Sequence, residues 1–358
     1  MGFEKIKGQE KALITISRYL QRGKFHHAYR FEGPPGVGKT MTALYISASL
    51  NCQNPVPWSP AQNSEGGFEG ASMPNPCEEC HVCRRIPLTG DIESNEFPDV
   101  LIIAPEGTSR VIKVEQIRQI HSIINYVPAE GKVRVIIIRE GEHITEEASN
   151  AFLKVLEEPP PNNYFIITTA KPHRLLSTIK SRTVPVRFSA LSFDTVFEIL
   201  KGIFPEEKEN ILKAATALSG GSVSKARNYV IESEKATNAI QNVCELDSLI
   251  KKDWSQILSF LDSAGVDRES IEDILHTMIL YYRDIIWFSV TQQKKEILLK
   301  PVEDKITRRT LSDELETICD LCLNAINGLK KIELNVNPRA ILETIIFNMK
   351  RGEGTPHI

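Results

Sequence analysis

The chain has 358 residues, 41% of them hydrophobic and 25% charged, with a formal net charge of −3. That length exceeds what a single hydrophobic core fills, so two or three folded domains are expected. The near-neutral charge excludes a chain-wide basic footprint for autonomous DNA binding, and no apolar run reaches the roughly 18 residues of a membrane span.

Residues 9–22 set Ala12, Leu13, Ile16, Tyr19 and Leu20 at helical spacing, which predicts an amphipathic helix. Met1 to Gln9 has no apolar core of the signal-peptide kind, so a cytoplasmic protein is expected. Ala28-Tyr29-Arg30-Phe31 reads as a short strand, and it runs into Gly33-Pro34-Pro35-Gly36-Val37-Gly38-Lys39-Thr40. A glycine, four residues and then Gly-Lys-Thr is the spacing of a phosphate-binding loop. Its glycines let backbone N–H groups surround a polyphosphate, its lysine reaches the terminal phosphates, and its threonine can hold Mg²⁺. Met41 to Leu50 then predicts a helix whose N-terminus faces the anion. The ligands implied are ATP or ADP with Mg²⁺; the alternative is a Gly/Pro turn before an ordinary helix.

Gln53 to Pro76 is rich in Pro, Asn, Ser and Gly and reads as an exposed insertion without a core of its own. Behind it, Cys77, Cys80 and Cys83 form C-x₂-C-x₂-C, and Cys52 is available as a fourth thiolate. Four thiolates suit a closed, structural zinc site that staples the insertion to the fold, in a reducing compartment. His81 as fourth ligand, or three free thiols on a short helix, are the alternatives. Cys244 reads as a small core residue, and Cys319 and Cys322 as the packed side of a helix.

From Asp99 strand and helix patterns alternate: strands at 99–103, 133–138, 164–168 and 184–188, helices at 114–124 and after Thr145, which can cap a helix that Pro159-Pro160-Pro161 stops. With the strand at 28–31 this makes five short strands of a parallel α/β sheet. A nucleotide hydrolase follows the strand at 133–138 with an Asp that holds the Mg²⁺ shell and an acid that activates water. Here Arg139 stands in the Asp position and Glu140 in that of the base. A guanidinium cannot ligate a cation, though it can pair with phosphate. Glu142 is the other acid, expected to lie past the strand end; a solvated acidic turn is the alternative for both glutamates.

Residues 190–233 are helical around a Gly220-Gly221 break, and 235–350 are helical by periodicity. Ile271 to Val290 is apolar around most of its circumference, as a helix buried on both sides would be. An intersubunit contact and an isolated bundle explain it equally well. Residues 351–358 read as a loose tail.

His27-Ala28-Tyr29 before the phosphate loop, the cysteine group, the block Asn150 to Pro160, Ser181-Arg182, and Leu334 to Arg339 occur in an order that resembles the clamp-loader ATPases of bacterial DNA polymerase III, members of the AAA+ class. The resemblance implies an AAA+ nucleotide-binding domain over 1–188 with a zinc module within 52–90, a helical lid over 189–233, a helical collar over 234–350 and a tail over 351–358. Arg139-Glu140 in place of Asp-Glu, Ser224 where motor subunits carry a lid arginine, the 172–182 run and Asn337-Pro338-Arg339 favour the delta-prime type over the gamma/tau motor type. Ser181-Arg182-Thr183 replaces the family's Ser-Arg-Cys. The resemblance makes Arg182 an arginine finger for a neighbouring subunit's ATP; a surface arginine ending a helix is the alternative. Thr168 and Thr169 match the sensor threonines. The implied partners are gamma/tau and delta subunits in a five-membered ring, the sliding clamp, and primed DNA through the complex, with weak or absent hydrolysis by this chain. A gamma-type ATPase using Glu140 or Glu142 and a non-replicative AAA+ switch are the rival readings.

Overall fold

An unbroken apolar run such as Val135-Ile136-Ile137-Ile138 gives a strand two faces to bury, and helices on both sides of a sheet bury them. The computed structural model has this arrangement. It describes residues 2–21, 25–59, 72–88, 92–107, 109–249, 255–256, 259, 268–294, 297–310, 314–334 and 336–352. The chain divides into two units, residues 1–195 and 196–358.

The first unit contains, in chain order, α1 (Glu10–Gln21), β1 (Ala28–Glu32), α2 (Lys39–Asn51), β2 (Val56–Trp58), β3 (Met73–Asn75), α3 (His81–Arg85), β4 (Val100–Ile103), α4 (Val114–Ile124), β5 (Arg134–Ile138), α5 (Glu146–Glu157), β6 (Asn163–Thr169), α6 (Ser177–Ser181) and β7 (Val184–Arg187). Five strands form one sheet in the order β4-β5-β6-β1-β7, every neighbouring pair parallel. The first strand thus lies between the last two. The segment leaving β1 emerges at the middle of the sheet's carboxyl edge, where open α/β sheets take their ligands.

Strand alternation sorts the core into two layers. Tyr29, Phe31, Val135, Ile137, Ile166 and Val186 pack with α1, α2 and the cysteine-bearing segment. Ala28, Ile136, Ile138, Phe165 and Ile167 pack with α4 and α5. Thr145 caps α5, its hydroxyl accepting the Ala148 N–H at 3.3 Å, and α5 ends at Glu157 ahead of the proline run.

The described ends of 53–76 have no core of their own, as expected, and join that of the first unit instead. β2 and β3 form an antiparallel ribbon, and it is anchored. Met73 is fully buried, Trp58 stacks on Phe3 with ring centroids 5.6 Å apart, and Asn75 Oδ1 accepts the Phe3 N–H at 2.9 Å. A few apolar anchors among polar neighbours were enough to seat both ends. Residues 60–71 lie outside the described residues.

Asp99, just ahead of β4, organises the turn between α4 and β5. Its carboxylate accepts the N–H groups of Ala129, Glu130 and Gly131, each at 2.8 Å, and pairs with the buried Arg134 guanidinium at 3.2 Å. Arg134 in turn donates to the carbonyls of Ile123, Tyr126 and Val127. Burial alone would raise the Asp99 pKa, but the three backbone donors and Arg134 outweigh it and hold the carboxyl below the usual carboxylate range.

In the second unit α7 (Phe193–Ile203, which begins in the first unit), α8 (Glu209–Leu218), α9 (Val223–Ile231), α10 (Ser233–Leu249), α11 (Arg268–Thr291), α12 (Glu303–Arg309), α13 (Leu315–Glu333) and α14 (Pro338–Gly352) follow. Ser222 caps α9, accepting the Lys225 N–H. α11 is not buried on both sides as expected: Ile274, Leu275, Met278, Tyr282 and Ile285 are buried, but Trp287 is 40% and Val290 68% exposed. The Arg283 guanidinium lies over the Trp287 ring at 5.6 Å and gives that face a polar cover. Asp247 is held by the hydroxyls of Tyr281 and Tyr282 and by Arg309. Cys244 is buried, and Cys319 and Cys322 are half-buried. Asn335 and residues 353–358, in two of the segments singled out above, lie outside the described residues.

Replacing Asp99 with Ala leaves Arg134 and three turn N–H groups without their acceptor, and should lower stability by about 3–5 kcal/mol in urea unfolding. Because the folded-state pKa is depressed, wild-type Asp99 contributes fully above its unfolded value of about 3.9 and loses that contribution as pH falls through the lower folded value. The difference between wild type and Asp99→Ala should therefore shrink below about pH 4.

Candidate nucleotide site and four-cysteine group

Gly33 follows β1 directly and is held between two strands. Its N–H donates to Thr169 O at 3.1 Å, its φ is +151°, and a Cβ there would lie 2.2 Å from Phe188 O. Gly36 and Gly38 have φ of +70° and +97°, left-handed values that let the loop turn back before α2 begins at Lys39. Pro34, Pro35 and Val37 complete the loop; Val37 is buried and its carbonyl accepts from Gln9 at 3.2 Å. Thr40 lies in the first turn of α2, and Thr42 Oγ1 donates to Gly38 O at 2.9 Å.

The Lys39 ammonium turns back into the loop, donating to Gly33 O at 2.6 Å and Pro34 O at 2.5 Å. Burial pulls its pKa down to about 8, against the opposing charges of Glu142 and then Glu140. The ammonium is thus held by the loop's own carbonyls.

The residues after β5 take three separate paths. Arg139 donates its backbone N–H to Ile103 O, and its half-buried guanidinium makes no hydrogen bond or ion pair among the described residues. Glu140 is in the left-handed region at φ 50°, its N–H 3.3 Å from Thr168 Oγ1, and its carboxylate oxygens accept from Arg110 at 3.1 and 2.8 Å. Gly141–His143 then form a single 3-10 turn. A Cβ on Gly141 would meet Ile167 at 2.5 Å, so glycine is what lets this turn press onto β6.

Glu142 is consequently not carried past the strand end, as the residue count suggested. The turn brings it back to the end of β6, where Oε1 accepts the Ala170 N–H at 3.0 Å and Oε2 is buried without a hydrogen-bond partner. The lone glycine between two acids was the signal in the sequence. Arg110, an exposed loop residue far from either motif, left no such signal.

Thr168 and Thr169 end β6 beside β1, both buried; Thr169 Oγ1 accepts the Lys171 N–H at 3.1 Å. Arg182 lies well away from these contacts, at the C-terminus of α6. It reaches Glu157 Oε1 at 2.7 Å and Thr178 O at 3.1 Å, and is about one-third exposed. Thr183 beside it is buried: its hydroxyl donates to Ile179 O at 2.9 Å and accepts from Arg30 Nη1 at 2.6 Å. Arg30 also pairs with Glu32 at 2.6 Å, so a buried network joins the base of the phosphate loop to the residue after Arg182.

At the end of α2, Cys52 meets Cys77, Cys80 and Cys83, the four sulfurs lying within 4.8 Å of one another. Tetrahedral zinc with bonds of about 2.3 Å spaces its sulfurs by about 3.8 Å, and the Cys52–Cys80 separation is 4.0 Å. The N–H groups of Cys77 and Cys80 approach the sulfurs of Cys52 and Cys77 at 3.4 and 3.3 Å, as donors around thiolate ligands do. His81 is exposed and outside the group. The donor set fits zinc. Near Lys39 the carboxylates are Glu140, paired with Arg110, and Glu142, one oxygen of which is buried without a partner, while the sequence puts Arg139 where a metal-shell acid is expected.

The family model for DNA polymerase III, delta subunit, matches residues 8–192. The chain belongs to that family. It is 31% identical to the DNA polymerase III subunit gamma of Buchnera aphidicola subsp. Schizaphis graminum, covering 97% of this chain and 94% of that one. It is 24% identical to the DNA polymerase III subunit delta' of Bacillus subtilis, covering 96% and 97%. The tau subunit of Escherichia coli is 33% identical over 57% of this chain and 28% of its own length. A solved gamma subunit-related protein from Thermotoga maritima superposes at a TM-score of 0.40 with 19% identity over 96% of this chain and 99% of its own, too loose to argue from. The protein is a clamp-loader subunit of DNA polymerase III, of the group that includes gamma, tau and delta-prime, on an AAA+ sheet.

Protein purified without chelator should contain one zinc per chain by metal analysis. Cys80→Ser should release it and speed hydrogen exchange across the described residues of 52–88, leaving exchange in β5 and β6 unchanged.

Proposed function

We propose that this chain is the delta-prime subunit of its clamp loader, a stator that supplies Arg182 to the ATP site of a neighbouring motor subunit. The observation that carries the reading is the state of the acid pair after β5. Arg139 stands where the metal-shell acid is expected, so hydrolysis lacks that acid, and Glu140, where the base is expected, is paired at the surface with Arg110. A subunit in that condition contributes to ATP turnover most directly by what it presents to a neighbour.

Arg182 suits that task. Its pair with Glu157 is exposed and of little energetic consequence alone, whereas a phosphate offers the guanidinium fork a stronger, bidentate partner. Exchanging one for the other changes little in the fold. The Arg30–Thr183 bond fixes the backbone beside it, so the arginine swings from a stationary base.

In this reading Gly33–Thr40 holds ATP or ADP as a structural ligand, with Thr169 at its edge, and nucleotide stabilises the fold according to its concentration over Kd. Zinc on Cys52, Cys77, Cys80 and Cys83 is likewise structural. Residues 189–233 serve as lid and 234–350 as the collar that joins gamma/tau and delta subunits into a ring; the sliding clamp and primed DNA are met through that complex. The gamma/tau motor reading is favoured by the 31% identity to a gamma subunit over nearly the whole chain. It requires turnover by this chain.

Arg182→Ala should leave the chain's melting temperature within a degree or two and lower the DNA- and clamp-stimulated ATPase of the reassembled loader severalfold, since a finger contributes about 10³–10⁵ in rate at the site it serves. Unchanged ATPase removes the finger role. Turnover by the isolated chain that Lys39→Ala abolishes would favour the motor reading instead.

A further inference from the structure

We infer that the phosphate loop takes its nucleotide without a divalent cation, Arg139 providing the positive charge that Mg²⁺ provides in a hydrolytic loop. The inference rests on the reading of Gly33–Thr40 as a nucleotide site. It starts from the oxygens on offer. Mg²⁺ is a hard cation that demands oxygen ligands in near-octahedral array, usually water, a phosphate oxygen and one or two carboxylates. Around Lys39 the carboxylates are Glu140 and Glu142. Both oxygens of Glu140 already accept from Arg110. Glu142 has one oxygen on the Ala170 N–H and the other buried without a hydrogen-bond partner, so a single carboxylate oxygen, whose charge already faces the Lys39 ammonium, is left for a cation. Thr40 offers a neutral oxygen, and the sequence puts a guanidinium, Arg139, where the acid is expected.

The same arrangement favours an anion. Arg139 continues the pairing of β5 with β4 through Ile103 O, so strand alternation carries its side chain to the Val135 and Ile137 face. That face packs against Val37 of the loop and Leu44 of α2. A guanidinium there has no competing partner among the described residues, and none has to be broken for it to turn to phosphate. Lys39 and the N-terminus of α2 place positive charge at the loop, and a guanidinium extended along that face can take two oxygens of a diphosphate held there.

Such a site would retain nucleotide and have no metal-polarised phosphate to cleave. Its selectivity follows: it should take ADP and ATP alike in the presence of a chelator.

The test is binding of a fluorescent ADP analogue (mant-ADP) to the full-length chain, by anisotropy, in Mg²⁺ and in EDTA. The dissociation constants should agree within about twofold, and Arg139→Ala should weaken both by about tenfold or more, as loss of a charge-assisted hydrogen bond does. Tightening of the wild-type complex by Mg²⁺ of about tenfold or more overturns the inference, as does an unchanged affinity in a folded Arg139→Ala chain. Zinc-loaded, folded wild type that binds under neither condition overturns the nucleotide reading together with it. Mg²⁺-dependent binding lost in Lys39→Ala leaves that reading standing and removes only the metal-free proposal. The wild-type comparison needs no variant, so misfolding of Arg139→Ala cannot obscure it.

Discussion

The backbone of Gly33 fits between two strand ends, and no side chain has room there. Its N–H is bound to Thr169 O on one side, while Phe188 O on the other stands where a Cβ would be. This close approach fastens the mouth of the phosphate loop to β6 and to the end of β7 together. Three features meet at the point so fixed: the carbonyls that receive Lys39, the threonines ending β6, and the turn that returns Glu142 to Ala170. The sheet order supplies the geometry, because only a first strand lying between the last two can hand its loop to both. A parallel sheet wound in another order would leave the same motif at an edge, with one strand to hold it.

Most of this framework was legible beforehand because its signals are local. Alternation and helical spacing marked the five strands of the sheet; the glycine spacing marked the loop; the cysteine spacing marked three clustered thiols, with Cys52 or His81 to join them, and the structure brings in Cys52. Signals that depend on distant partners were not legible. Nothing near Glu140 announces Arg110, thirty residues away in sequence, and the burial of Met73 is hidden in a segment of polar composition. The placement of Glu142 lies between these cases. Counting residues sent it beyond the sheet, whereas the glycine before it, read as a demand for close approach, points back toward β6.

Charge is distributed in this unit by what each group can reach. Asp99 and Arg134 are buried together and fully bonded, and they define a turn. Arg182 and Glu157 are paired at the surface, where solvent makes the bond cheap to exchange. Arg139 has no such tie among the described residues. The three situations correspond to three degrees of commitment, from permanent structure to a group held in readiness, and the difference arises from burial and available acceptors rather than from residue type. In the same way, Thr183 is tied into the sheet by a hydroxyl bond that a thiol would make only weakly.

The ribbon of β2 and β3 also governs how this fold can vary. Trp58 and Met73 are paired across it, so the chain leaves the core and re-enters it at adjacent points. A segment that begins and ends in the same place spans no distance, and the entropy of closing it rises only as the logarithm of its length. The junction at Trp58 and Met73 is thus a place where a change of length costs the chain little closure entropy.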